Sequence, residues 1–217
     1  MRLRTGLAAG ALALTLVIAG AASAAPTAYT SDAAWTVAAP GALTLQSFEG
    51  APTGTTTSLN FGNVNFHCTG STYCPGSFGH TTLSATDGSY SVFFATPDTA
   101  TFTFNSAITA FGIDVIDLGT NGVTDFFIDN GSGPLALQTN YSAPGFTVTF
   151  AGLIDSAGFT QITFSAPRAS EGILFDRLRF GGTPGGGAIP EPATWAMMIL
   201  GFGAAGSMIR RRKAIAA

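Results

Sequence analysis

The sequence predicts an all-β fold, an antiparallel, jelly-roll-like β-sandwich, with an apolar segment at either end of the chain. Three observations carry this. Residues 25–182 are rich in Gly, Thr, Ser, Asn and Phe and hold 17 of the 18 phenylalanines. Within them apolar and polar residues alternate with period two, as in Thr101-Phe-Thr-Phe104 and Phe146-Thr-Val-Thr-Phe150, which on a strand sends Phe to one face and Thr to the other. Turn signals then cut the stretch into short pieces, and no segment shows the helical period that a crossover connection needs.

In chain order, residues 1–24 read as a secretory signal peptide. Arg2 and Arg4 supply the basic start, Leu7 to Ile18 the apolar stretch, and Ala22-Ser23-Ala24 the small-residue cleavage site. The expected cut lies after Ala24, so the chain is expected to be exported.

The ectodomain, 25–182, offers strand candidates at Leu43 to Phe48, Asn60 to Phe66, Tyr90 to Ala95, Thr101 to Phe104, Ile108 to Ile116, Val123 to Asp129, Pro134 to Thr139, Phe146 to Phe150, Phe159 to Phe164 and Ile173 to Phe180. Asp87-Gly88, Thr96-Pro97-Asp98, Asn121-Gly122, Asn130-Gly131 and Ala143-Pro144-Gly145 separate them. About ten short strands with one Phe-rich face each imply two sheets packed face to face. A closed up-and-down barrel is the alternative.

Charge narrows the partners. All twelve carboxylates lie between Asp32 and Glu191, against Arg168, Arg177 and Arg179, a net charge of −9, and that stretch has no lysine. Nucleic acid and anionic lipid both need clustered cations, so the surface of this stretch argues against both as partners.

Residues 183–189, Thr-Pro-Gly-Gly-Gly-Ala-Ile, form a flexible Gly/Pro linker. The tail, 190–213, has three parts in order. Pro190-Glu191-Pro192 resists helix formation; 193–209 is uncharged; Arg210, Arg211, Arg212 and Lys213 close it as a membrane stop. The uncharged run would make a helix of roughly 25 Å, at the short limit for a single transmembrane helix, with the basic block held on the cytoplasmic side.

This tail resembles the PEP-CTERM sorting domain in its Pro-Glu-Pro-x-x-Trp-Ala form, here Pro190, Glu191, Pro192, Trp195 and Ala196. The resemblance covers only about the last thirty residues. It implies recognition by an exosortase, a membrane cysteine transpeptidase-like enzyme, and delivery to the cell envelope or the extracellular polysaccharide matrix after transient anchoring in the inner membrane. Ile108 to Asp114 and Gly172 to Gly181 also look like strands that recur in PEP-CTERM ectodomains of jelly-roll type.

Cys68 and Cys74 are the two cysteines, with five residues between them. In an exported protein they are expected to form a disulfide. A zinc site drawing on His67, Cys68, Cys74 and His80 is the rival, disfavoured by adjacent ligand positions and an oxidising compartment. Asp114 and Asp117 would face opposite sides of one strand, but in the turn beyond it Asp117 and Asn121 offer oxygen ligands for Ca²⁺, so Asp114, Asp117 and Asn121 are the candidate metal residues. No other cofactor is implied. Asp125 and Asp129 share a strand face as solubilising charges, and Asn130-Gly-Ser132 and Asn140-Tyr-Ser142 match a glycosylation acceptor by chance.

No nucleophile elbow or Ser-His or Cys-His pairing is evident, so no catalytic residue is assigned. Tyr73, Tyr90 and Tyr141 are candidates for stacking on sugars. The expected function is therefore a non-enzymatic binding or structural module; a glycoside hydrolase or lyase on the same scaffold is the alternative, and would need two converging carboxylates.

With cationic groups at both ends held inside, the body must lie outside the inner membrane. Protease added to spheroplasts should digest the ectodomain as fast as a periplasmic control. Survival of the ectodomain while that control is degraded would overturn export.

Overall fold

A computed structural model describes residues 24–74, 78–167, 171–184, 198–199 and 201–202. Twelve strands and one short helix follow in the order β1 (Thr27–Tyr29), α1 (Asp32–Ala38), β2 (Leu43–Gln46), β3 (Thr53–Thr55), β4 (Ser58–Asn60), β5 (Val64–Thr69), β6 (Phe78–Thr81), β7 (Ser91–Ala95), β8 (Thr99–Ile116), β9 (Thr124–Asp129), β10 (Leu135–Tyr141), β11 (Val148–Ser165) and β12 (Gly172–Gly181). Every strand pairing among the described residues is antiparallel. The sequence reading of an all-β antiparallel domain holds.

The expectation of uniformly short strands does not. Thr101–Phe104 and Ile108–Ile116 are parts of one 18-residue strand, β8, and Phe146–Phe150 and Phe159–Phe164 fall mostly within another, β11. Both fold over. Nine residues of extended strand span about 30 Å, yet the Phe102 and Phe111 ring centroids are 5.8 Å apart within β8. In β11, Leu153 pairs with Phe111 while Phe164 packs against that same phenylalanine at 5.8 Å. The fold falls where alternation lapses, at the exposed Asn105-Ser-Ala107 and at the register shift between Ile154 and Phe159.

One continuous hydrogen-bonded sheet thereby becomes two layers. The first runs β3–β4–β5, then the first half of β8, the second half of β11, β9 and β10. The second runs β6–β7–β12, then the second half of β8, the first half of β11 and β1, with β2 beside the end of β12. Among the described residues β10 and β6 each pair on one side only, so the ladder is open rather than a closed barrel.

Phenylalanine fills the space between. Phe175 of the second layer meets Phe102 at 5.5 Å edge-on and Phe164 at 4.8 Å, and Phe104 meets Phe180 at 4.9 Å. These distances suit the ring quadrupole, and such pairs add about 0.5–1.5 kcal/mol each beyond area burial.

The two strand folds also give the domain two distinct ends. At one, here called the bend end, lie the folds of β8 and β11, Gly181 opposite Ala110, and Pro184, whose ring occupies the space a side chain on Gly158 would need. At the other, the tip, lie Ile116 opposite Val148, Thr99 opposite Thr69, and Tyr141 opposite Thr124.

Helix α1 was not anticipated, because seven residues are too few to show a period. Its start is nonetheless conventional: the Ser31 hydroxyl accepts from the Ala34 N–H at 3.3 Å, and Asp32 stands in the first turn. It covers the outer face of the second layer with one fully buried side chain, Trp35. Gly112 and Gly152 make room for that indole, since a Cβ on either would come within 2.7–2.9 Å of the Trp35 or Phe150 rings.

The predicted signal peptide and tail lie almost entirely outside the described residues. Among the described residues no helix is long and apolar enough to cross a membrane.

Gly152→Val should force apart Trp35 and Phe150 and cost about 1–3 kcal/mol. Urea denaturation should show a lower midpoint with an unchanged slope, and an unchanged midpoint would mean α1 is not packed on this face.

Candidate functional site

Three clusters of polar side chains among the described residues are each organised by a buried carboxylate. On the outer face of the second layer, Asp114 of β8 and Asp176 of β12 are direct cross-strand partners, both buried. Two like charges so placed need compensation. A register shift follows Asp176, where Arg177 takes a left-handed backbone, φ 48°. Arg177 then donates from Nε and Nη2 to both Asp114 oxygens at 2.9 and 2.8 Å, and from Nη2 to Asp32 of α1 at 2.9 Å. That forked pairing, above all with Asp114, pushes the Arg177 guanidinium further up from its usual value.

Arg179 donates to the other Asp32 oxygen and lies 4.9 Å over the Trp35 ring and 5.5 Å over Phe150. Burial alone would raise the Asp32 carboxyl, but hydrogen bonds from Arg179 and Arg177 hold it below the usual range. Asp176 instead accepts from the backbone N–H groups of Thr86, Asp87 and Arg177 at 2.6–2.7 Å. Burial outweighs those bonds and raises its carboxyl.

The second place is the disulfide loop. Cys68 and Cys74 are bonded, with Cα atoms 6.2 Å apart. The loop wraps the buried carboxylate of Asp98, which accepts from the N–H groups of Thr72, Tyr73 and Cys74 at 2.6–3.2 Å. Although burial raises the Asp98 carboxyl, these backbone donors together hold it below its ordinary value. The His67 imidazole is lowered by burial on β5. Among the described residues, Cys68, Cys74 and Asp98 are the one group of three potential metal-ligating side chains that converges, and its two sulfurs are bonded to each other.

The third place is the tip. Glu171, fully buried, accepts from the N–H groups of Thr120 at 2.9 Å and Asn121 at 3.4 Å. Burial, with the charge of Asp117 added, raises its carboxyl. Asp117 Oδ1 accepts from the Thr120 hydroxyl at 2.6 Å and the Phe146 N–H at 2.9 Å, tying loop 117–123 to loop 142–147. A groove of about 320 Å³ opens at this end between Val123, Thr124, Asp125, Asn140 and Pro167.

Of the residues singled out in the sequence, Cys68 and Cys74 come together. Asp114 and Asp117 serve separate neighbourhoods: Asp114 is clamped by Arg177, Asp117 pins two loops, and the Asn121 N–H turns to Glu171. Pro190, Glu191, Pro192, Trp195, Ala196, Arg210, Arg211, Arg212 and Lys213 lie outside the described residues. Tyr90 stacks on His80 at 4.5 Å, whose Nε2 is 2.7 Å from the Phe48 carbonyl. Sequence reasoning missed Asp98, Glu171 and Asp176, since nothing in the sequence around a lone carboxylate reveals which backbone N–H groups will converge on it. For Arg177 and Arg179 there was a signal: they are two of three cations in an otherwise acidic ectodomain.

Residues 188–213 match the family model of the PEP-CTERM protein-sorting motif. The chain carries a PEP-CTERM sorting motif. Such a motif indicates an exported, exosortase-processed protein. No curated protein matches the chain. Among solved structures, it is similar to a family 29 carbohydrate-binding module at 12% identity and TM-score 0.39, covering 64% of this chain and 89% of the other. The K2 cleaved adhesin domain of Lys-gingipain gives 16%, 0.40, 65% and 100%. A family 11 carbohydrate-binding module of a Clostridium thermocellum cellulosomal cellulase gives 10%, 0.37, 66% and 97%.

The Asp98 carboxyl is lowered in the folded state, so it contributes stability that is present above its unfolded value near 4 and is lost as pH falls through its folded value. Asp98→Asn places an amide where backbone N–H groups converge and should cost about 2 kcal/mol at pH 7. The gap between wild type and variant in urea midpoint should shrink as pH is lowered from 7 to 3. A gap that stays constant would show that the charge is not what holds the loop.

Proposed function

We propose that this chain is a non-enzymatic binding or structural protein of the cell envelope or the extracellular polysaccharide matrix, delivered there by exosortase. The observation that carries the reading is the sorting motif at 188–213, a few residues beyond a β-domain that closes at Gly181. The intervening Gly-rich composition is that of a flexible spacer, which suits access of a processing enzyme to the motif. Before processing, the uncharged run 193–209 serves as the anchor in the inner membrane; extracellular polysaccharide is the partner afterwards.

The ectodomain's carboxylates support a non-catalytic role. Glycoside hydrolysis needs two carboxyl groups flanking an open substrate site. Asp114 and Asp176 face each other across the strands, but both are buried, one clamped by Arg177 and the other by loop 86–87. Asp98 and Glu171 are likewise buried and spent on backbone N–H groups. Calcium remains a proposal for the Asp117 turn, where one carboxylate oxygen already accepts two protein donors.

Recognition of the tail should depend on Glu191 and not on hydrophobicity alone. Glu191→Gln lies outside the apolar run, so membrane insertion should persist while sorting fails. The measurement is the size and location of the protein in wild-type and exosortase-deficient cells. If wild type and Glu191→Gln both stay full-length in the membrane fraction, and loss of exosortase changes neither, the tail is only an anchor.

A further inference from the structure

We propose that the tip of the domain is a docking surface for neutral polysaccharide, with Phe146 as its apolar contact. The proposal rests on the reading of the ectodomain as a binding module and assigns that module its site and ligand class.

Phe146 is 51% exposed and holds a left-handed backbone, φ 59°, an uncommon conformation for a bulky residue. A strained, solvent-facing phenylalanine contributes little to the fold, and the surroundings hold it there. The Phe146 N–H donates to Asp117, Thr147 closes the turn by donating from N and Oγ1 to the Pro144 carbonyl at 3.3 and 2.7 Å, and Ala143 and Ser142 both donate to the Gly119 carbonyl. The buried Glu171 fixes the facing loop from beneath. Strain that surrounding bonds over-determine is a mark of a working surface.

Val148 and Val123, half exposed, lie at the same end, as does the groove of Thr124, Asp125, Asn140 and Pro167. Apolar faces beside amide, hydroxyl and carboxylate groups match the two aspects of a sugar ring, its C–H face and its hydroxyls. Asp117, Asp125 and Glu171 stand here against one cation near them in sequence, Arg168, and the stretch from Asp32 to Glu191 carries −9, so the balance of charge disfavours a polyanionic chain. A second copy of this chain is a poor fit, because three half-exposed side chains offer on the order of 250 Å² against about 800 Å² per partner in a stable complex.

Position in the molecule agrees. Pro184 sits at the bend end, and from it to Pro190 the chain reaches at most about 20 Å. The tip lies at the far end of the folded strands, so a polysaccharide bound there leaves Pro-Glu-Pro accessible.

The test uses the processed, exported protein, incubated with a panel of insoluble neutral hexose polymers and with alginate beads as the anionic probe. Wild type should be retained on a neutral polymer and not on alginate. Phe146→Gly removes the ring and relieves the backbone, so its urea midpoint should be unchanged or higher while retention falls at least tenfold. Asn140→Gly, also at positive φ, 51°, should weaken retention without destabilising. Full retention of Phe146→Gly would overturn the tip as the site while leaving the module reading intact. Retention on alginate alone would overturn the neutral class, and sedimentation of wild type as a dimer that Phe146→Gly dissolves would assign the tip to self-association instead. If wild type is retained on no polysaccharide at all, the binding-module reading itself fails.

Discussion

The architecture depends on two strands being long enough to belong to both layers. β8 and β11 pair with each other along most of their length, and each folds once. Because they fold side by side, the ladder survives the corner with two register shifts, between Ile154 and Phe159 and between Phe159 and Gln161. The phenylalanines of one strand then face each other across the core. This is why Phe102 and Phe111 can touch, and why Phe164 and Phe175, remote in sequence from both, complete the same cluster. A core of one large side chain type demands room elsewhere. On the outer face glycine supplies it, at 112 and 152, so that the one indole of α1 can pack closely on the sheet.

With twelve acidic residues and three cations between Asp32 and Glu191, the domain cannot balance its charge by ion pairs alone. It uses backbone instead. Asp98, Glu171 and Asp176 are each buried, and each is met by two or more N–H groups from a neighbouring loop. Such bonds satisfy donors that a loop exposes and a strand does not, so a buried carboxylate does for a loop what an N-cap does for a helix. The balance differs between sites. Backbone donors prevail at Asp98, where the carboxyl is lowered; burial prevails at Glu171 and Asp176, where it is raised. Arg177 and Arg179 serve Asp32 and Asp114 and so fasten α1 to the sheet, with the Thr86 hydroxyl adding a bond to Asp114.

Much of this was legible in the sequence. Period-two stretches such as Thr101–Phe104 fixed both the strand and its buried face, and the structure buries Phe102 and Phe104 while leaving Thr103 between them half exposed. The Cys68–Cys74 bond followed from spacing and compartment. What could not be read was continuity. Asn105-Ser-Ala107 interrupts the apolar alternation between two strand candidates, and only the pairing of β11 with residues on both sides of it shows that the strand carries on. Nor could the carboxylate roles be read, for a structural reason: Asp98 binds residues 72–74 and Asp176 binds residues 86–87, partners set by tertiary folding and not by local pattern. The tail was the opposite case, since its motif, apolar run and basic end are adjacent in the chain.

The placement of Arg177 shows how these economies meet. Its left-handed backbone lets successive residues serve different partners in one neighbourhood, Asp176 receiving loop 86–87 and Arg177 reaching Asp114 and Asp32. Had the strand run regularly, the two side chains would alternate between faces and one would enter the phenylalanine core. The irregularity thus keeps a charge out of the core and also bridges sheet to helix. The same reasoning separates structural from surface strain in this chain. At Arg177 the strained backbone is repaid by buried hydrogen bonds of its own side chain. At Phe146 the side chain gains no such return within the fold, which is why the tip, and not the arginine cluster, is where a partner has to be sought.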